Sequence, residues 1–537
     1  MGAALADRNR VRTVGSPRAD GARVPRRVEV TASALRARIS SSVVVFIAVF
    51  VVSRVAAFAA GVRFDDGLLH NAYQLLDVRL LHDDPITSIF YLHSQPPLFN
   101  LFTAAVVQLP SSAVRPVLAV VWAGAGLATA LLLHATMRRL GVRPWLATTI
   151  VCIYLVAPET ILTESWFFYS QLQILLSALI LYALTRFTST RRTMDGVLFA
   201  GSLGALVLLR SAIHIGLMVL VLIIVWRQLH LDLRRVAVVA AVPVLLVGAW
   251  SVKNVLVFDS WTNSTWVGMN LSYLAHAGVT RQECERLVAD RTVSASACRT
   301  AFRGPAAYTR AFPHPTSYGA AATDRLYKST GQPNFNASLY IDVASRYQHD
   351  AIELLRHGGA AAVTRAELAA YTDWAQPGDD SLQLRKVRAP IAGYADWFDR
   401  VVLLRPVATG WNDPARFTAS AGAFPWGDAL GSVSYTILAL SGFAIYGAIA
   451  GWRRRRWNRV DLRCVCTVAA VLLAASVVLG NALDYRENNR FRVEAAPFML
   501  VLAAVGLEVL IRRLADRRRR SAPTTESPVP AASVPSR

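Results

Sequence analysis

Residues 43–62, VVVFIAVFVVSRVAAFAAGV, hold one charge, Arg54, in twenty positions and run straight into Arg63-Phe64-Asp65-Asp66-Gly67. A helix of about twenty apolar residues covers the roughly 30 Å hydrocarbon layer of a bilayer, and in lipid a helix satisfies its own backbone hydrogen bonds. Nine arginines against three acids in the forty residues before it make this segment a first crossing that runs outward from a basic cytoplasmic arm, 1–42. Ala57-Phe58-Ala59 has the form of a signal-peptidase site, but so long a leading region argues against cleavage.

Working outward, the same pattern recurs at about 116–137, 145–162, 168–186, 196–210, 213–227, 236–256, 429–450, 464–483 and 494–511. The expectation is an all-α polytopic membrane protein of about ten transmembrane helices. Seven lie in a module at 43–256 and three at 429–511, with a large extracytoplasmic domain at 257–428 between them. A composition of 54% apolar and 17% charged residues excludes an ordinary soluble enzyme.

The net charge of +22 sits in clusters beside the apolar segments, at Arg186/Arg191/Arg192, Arg227/Arg234/Arg235, Arg453 to Arg456 and Arg517 to Arg520. An even number of crossings places every one of them in the cytoplasm with both termini, as the positive-inside rule requires. Residues 61–95 are net acidic and 257–428 nearly balanced, so nucleic acid is not an expected partner. Leu98–Leu109 is apolar but short, and a crossing there would put Arg138, Arg139 and Arg143 outside. It is read as an interfacial or re-entrant helix closing the first outer loop, 63–115. Helical periodicity near Tyr340–Arg356 and turn residues such as Pro377, Gly378, Pro406 and Pro425 make 257–428 a small ordered domain. The basic tail 512–537, rich in Ser, Pro and Thr from 521, is expected to be disordered.

Cys152, Cys464 and Cys466 fall in or beside apolar segments and read as core. Cys284 and Cys298 lie in the large outer region, where an oxidising compartment can pair them. His70, His82 and His93 lack zinc-type spacing.

The candidates for chemistry gather on the outer side. Asp65 and Asp66 open the first outer loop; either they cap a helix over 67–82, or one of them is a general base at the lipid boundary. One base suffices when the leaving group is a lipid phosphate, a stable anion that needs no acid to protonate it, unlike the alkoxide of glycoside hydrolysis. Such a reaction calls for cations, and Arg54, Arg210, Lys253, Arg486, Arg490 and Arg492 all lie at that boundary. Ionisable groups at membrane depth default to function, against the alternatives that they snorkel or pair with Glu487 and Glu494. Glu159 and Glu164 flank the second outer turn among Trp166, Phe167, Phe168 and Tyr169, placed to bind sugar hydroxyls or a divalent cation. No ligand set specifies that metal.

Four features resemble the C-type membrane glycosyltransferase superfamily, which includes protein O-mannosyltransferases and the family 39 proteins that act like the lipid A aminoarabinose transferase. They are the acidic pair Asp65-Asp66, the run His93-Ser-Gln95-Pro-Pro-Leu98, the acidic turn with Glu159 and Glu164, and a seven-helix module leading into a large outer loop. The stretch Glu487-Asn488-Asn-Arg490-Phe-Arg492-Val-Glu494-Ala-Ala-Pro497 is similar to the polar entry to the last helix of such proteins. Protein mannosyltransferases tend to carry Asp-Glu where this chain has Asp65-Asp66. The resemblance covers 43–256 and 484–511 and implies inverting transfer of a sugar from a polyprenyl-phosphate donor to an envelope glycan, lipid or protein on the outer face of the cell membrane. It implies Asp65 or Asp66 as base. On the combined reading Arg54, Arg210, Lys253, Arg490 and Arg492 are expected to hold the donor phosphate, and His93, Gln95, Glu164, Glu487 and Asn488 the sugar or acceptor. Two rivals from other classes are a flippase for a lipid-linked sugar, which would show internal repeats, and a scaffold whose outer domain binds an envelope partner.

Overall fold

The computed structural model describes residues 29–211, 213–380, 384–406, 433–456, 460–483 and 487–521. The arm before residue 29, the part of the expected outer domain at 407–428, Arg486 and the tail after residue 521 lie outside the described residues. The chain runs through α1 (Glu29–Ala59), α2 (Pro97–Val106), α3 (Ser111–Arg139), α4 (Pro144–Val156), α5 (Pro158–Glu164), α6 (Ser170–Thr190), α7 (Thr193–Leu209), α8 (Ile215–Leu229) and α9 (Leu233–Phe258). A loop domain follows with α10 (Val267–Gly278), α11 (Arg281–Ala289), α12 (Leu339–Trp374) and α13 (Ala392–Val401), and then α14 (Tyr435–Arg453), α15 (Leu462–Leu483) and α16 (Asn488–Ser521). Among the described residues seven helices, α1, α3, α6, α9, α14, α15 and α16, are long and apolar enough to cross a bilayer. The protein is an all-helical, multi-pass membrane protein.

Three of the ten expected spans are shorter or more broken than a single long apolar helix. The expected span 145–162 is two helices meeting at 61°. Pro158 has no N–H to continue the ladder, and the residue before a proline is driven out of the α region; Ala157 accordingly takes φ −58°, ψ 131°. The expected spans at 196–210 and 213–227 are α7 with 17 residues and α8 with 15. At 1.5 Å per residue these reach only about 26 and 23 Å.

One end of the bundle collects the basic turns. The buried carboxylate of Glu508 accepts from the Arg143 N–H at 3.1 Å and pairs with Arg512 at 2.6 Å. At the same end Arg191 donates to the Leu229 carbonyl at 3.0 Å. The opposite end carries the loop domain and is called here the loop face.

The loop domain is built on α10 lying along α12. Their approach depends on small residues: a Cβ on Gly268 would stand 2.1 Å from the Ala344 carbonyl oxygen, and one on Gly278 2.5 Å from that of Ala362. The 36-residue α12 turns at Gly359, whose φ of 62° suits glycine. Its far end, Trp374 and Ala375, is buried in the same apolar core as Phe498 and Val505 of α16, so the domain is seated in the bundle. Cys284 and Cys298 form a disulfide that ties α11 to the following loop.

The first loop is stapled to this domain through buried polar groups. Asp77 caps the turn at Val78 and accepts from the Ser329 N–H and hydroxyl, both at 2.6 Å. His93 is fully enclosed; Nε2 donates to the Asn336 carbonyl at 2.8 Å and Nδ1 accepts from the Thr265 hydroxyl at 2.9 Å. Burial pushes its pKa down from 6.5 to about 3, opposed by the bond to Asn336 and helped by nearby Lys253. The unfolded chain therefore binds a proton first, so this contribution to stability is complete above the unfolded value of 6.5 and is lost as pH falls toward about 3. Thermal unfolding followed in detergent should show a Tm that drops between about pH 7.5 and pH 4.5, and His93→Gln should lower the Tm at the upper pH while flattening that slope. An equal slope in the variant would rule His93 out as the source.

Candidate functional site at the loop face

The break before Pro158 leaves carbonyls of α4 without helical donors, and side chains from elsewhere take two of them. Arg54 Nη1 donates to the Leu155 carbonyl at 2.5 Å, and the Tyr394 hydroxyl to that of Val156 at 2.7 Å. The short helix α5 that follows carries two carboxylates in opposite directions. Glu164 receives the Arg54 fork, Nε at 2.7 Å and Nη2 at 2.6 Å, a bidentate pair between α5 and α1. Glu159 receives Arg492 Nη2 at 2.7 Å and the Gly378 N–H at 3.1 Å, tying α5 to α16 and to the loop after α12. Glu164 packs so closely on α3 that a Cβ on Gly126 would lie 2.1 Å from its Oε1.

The residues directly after α5 hold the acidic pair. Asp65 N–H donates to the Ser165 carbonyl and Phe167 N–H to the Asp65 carbonyl, both at 2.9 Å, an isolated parallel bridge centred on Trp166. Two short acidic segments a hundred residues apart are thereby fixed side by side. Asp65 Oδ1 accepts from the Gly67 N–H and from Lys386 Nζ, each at 3.0 Å. Asp66 Oδ1 pairs with Arg115 at 2.9 Å. Both carboxylates keep about a fifth of their surface open, while Lys386 and Arg115 are largely exposed.

An apolar groove of about 590 Å³ runs along α1, lined by Val49, Val52, Ala56, Ala60, Ile161 and Tyr394, among others. The elements that hold Asp65 also form its walls. Ile391 and Tyr394 follow Lys386 by five and eight residues, and the turn at Gly61 lies against Pro390.

A second centre is buried between α6, α7 and α16. Arg210 pairs with Glu494 at 2.7 Å, Arg490 with Glu494 at 2.8 Å and with Glu487, and both arginines donate to the Tyr169 hydroxyl at 3.1 Å. Ser170 donates to Glu494 at 2.6 Å. Two cations face two carboxylates, and the Arg210 guanidinium lies over the Phe491 ring at 4.3 Å.

These pairings correct the expected roles. Arg54, Arg210, Arg490 and Arg492 each hold a carboxylate, so their charge is already neutralised, and Glu164 and Glu487 are engaged by arginines where sugar contacts were expected. His93 is enclosed with both ring nitrogens engaged and cannot reach a sugar. Asn488 is also buried, with its N–H on Asp373 and its amide on Asn481. Lys253 donates to the Leu92 carbonyl at 2.7 Å and sits over the Trp250 ring at 3.7 Å, beside His93. Gln95 is half-buried at the entry to α2. Among the described residues no three His, Cys, Asp or Glu side chains are grouped closely enough to hold a metal ion. Sequence reasoning did not find Lys386, Arg115 or Tyr394: each is remote in sequence from Asp65, and no local pattern marks it.

No family model and no curated protein matches the chain. Among solved structures, it is similar to the oligosaccharyltransferase of Archaeoglobus fulgidus, tethered with an acceptor peptide containing the NVT sequon via a disulfide bond. The two share 14% identity at a TM-score of 0.37, over 89% of this chain and 51% of the other. The chain thus spans about half the length of that protein, and no residue role is transferred from it.

The Arg54–Glu164 contact is open to test through Gly126, which touches neither backbone partner of the pair. Gly126→Ala should displace the Glu164 carboxylate and, by uncoupling a buried pair, destabilise the protein by about 3–5 kcal/mol, read as a lower Tm in detergent. A Tm within error of wild type would show that the carboxylate relaxes without loss.

Proposed function

We propose that the protein is an integral membrane glycosyltransferase that moves a sugar from a polyprenyl-phosphate donor to a cell-envelope acceptor. The reading is supported most by one juxtaposition: a clamped, partly open carboxylate, Asp65, follows by five residues Ala60 of an apolar groove along α1, and its partner Lys386 precedes by five Ile391 of the groove wall. A polyprenyl chain suits the groove, and its phosphate then falls at the rim, where Lys386 and Arg115 are exposed cations. The basic turns at the opposite end support a loop face outside the cell, by the positive-inside rule.

Asp65 takes the proton of the acceptor hydroxyl as its oxygen attacks the anomeric carbon. The bond from that carbon to the phosphate oxygen breaks, its electron pair leaves with the lipid phosphate, and the new glycosidic bond has inverted configuration. Lys386 and Arg115 stabilise the growing phosphate charge, a preorganised electrostatic role. Asp65 is preferred to Asp66 because its own backbone is bonded on both sides of Trp166 and its side-chain partner, Lys386, belongs to the wall of the groove.

Transfer of radiolabelled sugar from a panel of polyprenyl-phosphate donors should fall about 10²–10⁴-fold for Asp65→Asn, the range for loss of a general base. Asp66→Asn should keep a measurable rate, and both variants should remain monodisperse. Full transfer by Asp65→Asn would sink the assignment of the base. Protein-dependent translocation of the donor with no new glycosidic bond would replace the enzyme by a flippase.

A further inference from the structure

The loop-domain helix α13 has three distinct faces. Ala395, Phe398 and Asp399 point inward, with Asp399 paired to buried Arg405 at 3.3 Å. Asp396 and Arg400 lie together on a second face, Asp396 at 2.7 Å from Arg388. Tyr394, Trp397 and Val401, at i, i+3 and i+7, form a third face that is apolar and exposed, and Leu404 extends it past the helix end. Trp397, 53% exposed, stacks on Tyr394 with ring centroids 6.0 Å apart. An exposed apolar stripe beside a polar one, on a helix whose remaining face is already in a core, is not a water-facing arrangement.

The position of α13 says what covers the stripe. Just before it, Pro390 lies against Gly61 at the loop-face end of α1. At its first turn, Tyr394 donates to Val156 at the loop-face end of α4. After its last turn, the Val402 and Leu403 carbonyls accept from the Thr436 and Ser434 hydroxyls at 2.7 and 2.6 Å, at the start of α14. Three membrane helices therefore hold α13 at a single depth, the level at which their loop-face ends emerge from hydrocarbon. Tyr and Trp are the residues that favour that level.

We propose that α13 lies in the plane of the loop-face leaflet with Tyr394, Trp397 and Val401 among the lipid acyl chains, so that the partner of this surface is the bilayer itself. The helix is then both an anchor of the loop domain and, through Ile391 and Tyr394, the lipid-side wall of the groove along α1. A lipid-borne ligand enters that groove laterally, past α13, without leaving the leaflet. The placement of α13 does not depend on the glycosyltransfer reading.

Nitroxide labels placed one at a time on the full chain in lipid nanodiscs, as Trp397→Cys, Val401→Cys, Arg400→Cys and Gly393→Cys, with Cys152 replaced by serine, test this by power-saturation spectroscopy. Labels at 397 and 401 should be several-fold more accessible to oxygen than to a water-soluble nickel chelate, with the order reversed at 400 and 393. Nickel accessibility at 397 and 401 equal to that at 400 would overturn the proposal, and so would protection from both reagents, which means that protein covers the stripe. Should the labelled variants misfold, wild type and Trp397→Phe can be compared in nanodiscs with brominated acyl chains. The fluorescence contributed by Trp397 should be quenched, and its survival at full intensity would equally overturn the placement.

Discussion

The loop face of this protein is organised by a proline. Pro158 ends α4, and two of the carbonyls freed by the bend, on Leu155 and Val156, are the points to which Arg54 of α1 and Tyr394 of α13 attach. The displaced turn becomes α5, whose two glutamates reach in opposite directions, Glu164 to the first membrane helix and Glu159 to the last. Immediately after it, Ser165 and Phe167 bond the backbone of Asp65. The bend thus joins helix α1, helix α16, the first loop and the loop domain at one place.

Charge follows the same plan. A guanidinium buried near lipid is costly unless it is paired and hydrogen-bonded, and Arg54, Arg210, Arg490 and Arg492 all meet that condition with carboxylates on other helices or on their own. Their work is to lock α1, α5, α7 and α16 together. Lys386 and Arg115 differ in exposure: their pairs with Asp65 and Asp66 lie at the surface, where the proposed ligand phosphate would meet them. A rigid, neutral interior beneath a cationic rim suits a reaction whose charge develops only at that rim.

Much of the fold was legible because lipid imposes length and apolarity on each crossing, and the long helices α1, α3, α6, α9, α14, α15 and α16 carry both marks. The break at Ala157-Pro158 was also written in the sequence but was overridden by the apolar length around it. Partner identity was not legible. His93 sits in a run read as a ligand site, yet its neighbours Thr265 and Asn336 are 172 and 243 residues away, and they turn it into a structural staple. In the same way the arginines could be read as costly and hence important, but whether they faced a substrate or a carboxylate depended on Glu159, Glu164 and Glu494 meeting them in space. The acidic pair was found from its position after the first helix; its clamp, the bridge to Trp166, is a contact between loops that no local pattern encodes.

The central claim is that a polyprenyl chain occupies the groove along α1 and delivers its phosphate beside Asp65. The most direct measurement is photolabelling of the wild-type protein in membranes with a benzophenone-tagged polyprenyl-phosphate sugar, followed by peptide mapping. The account predicts crosslinks on Val49 to Ala60 and on Ile391 to Tyr394, competed away by untagged donor. Competable labelling confined to other helices, or none at all with any donor that the protein consumes, would contradict it.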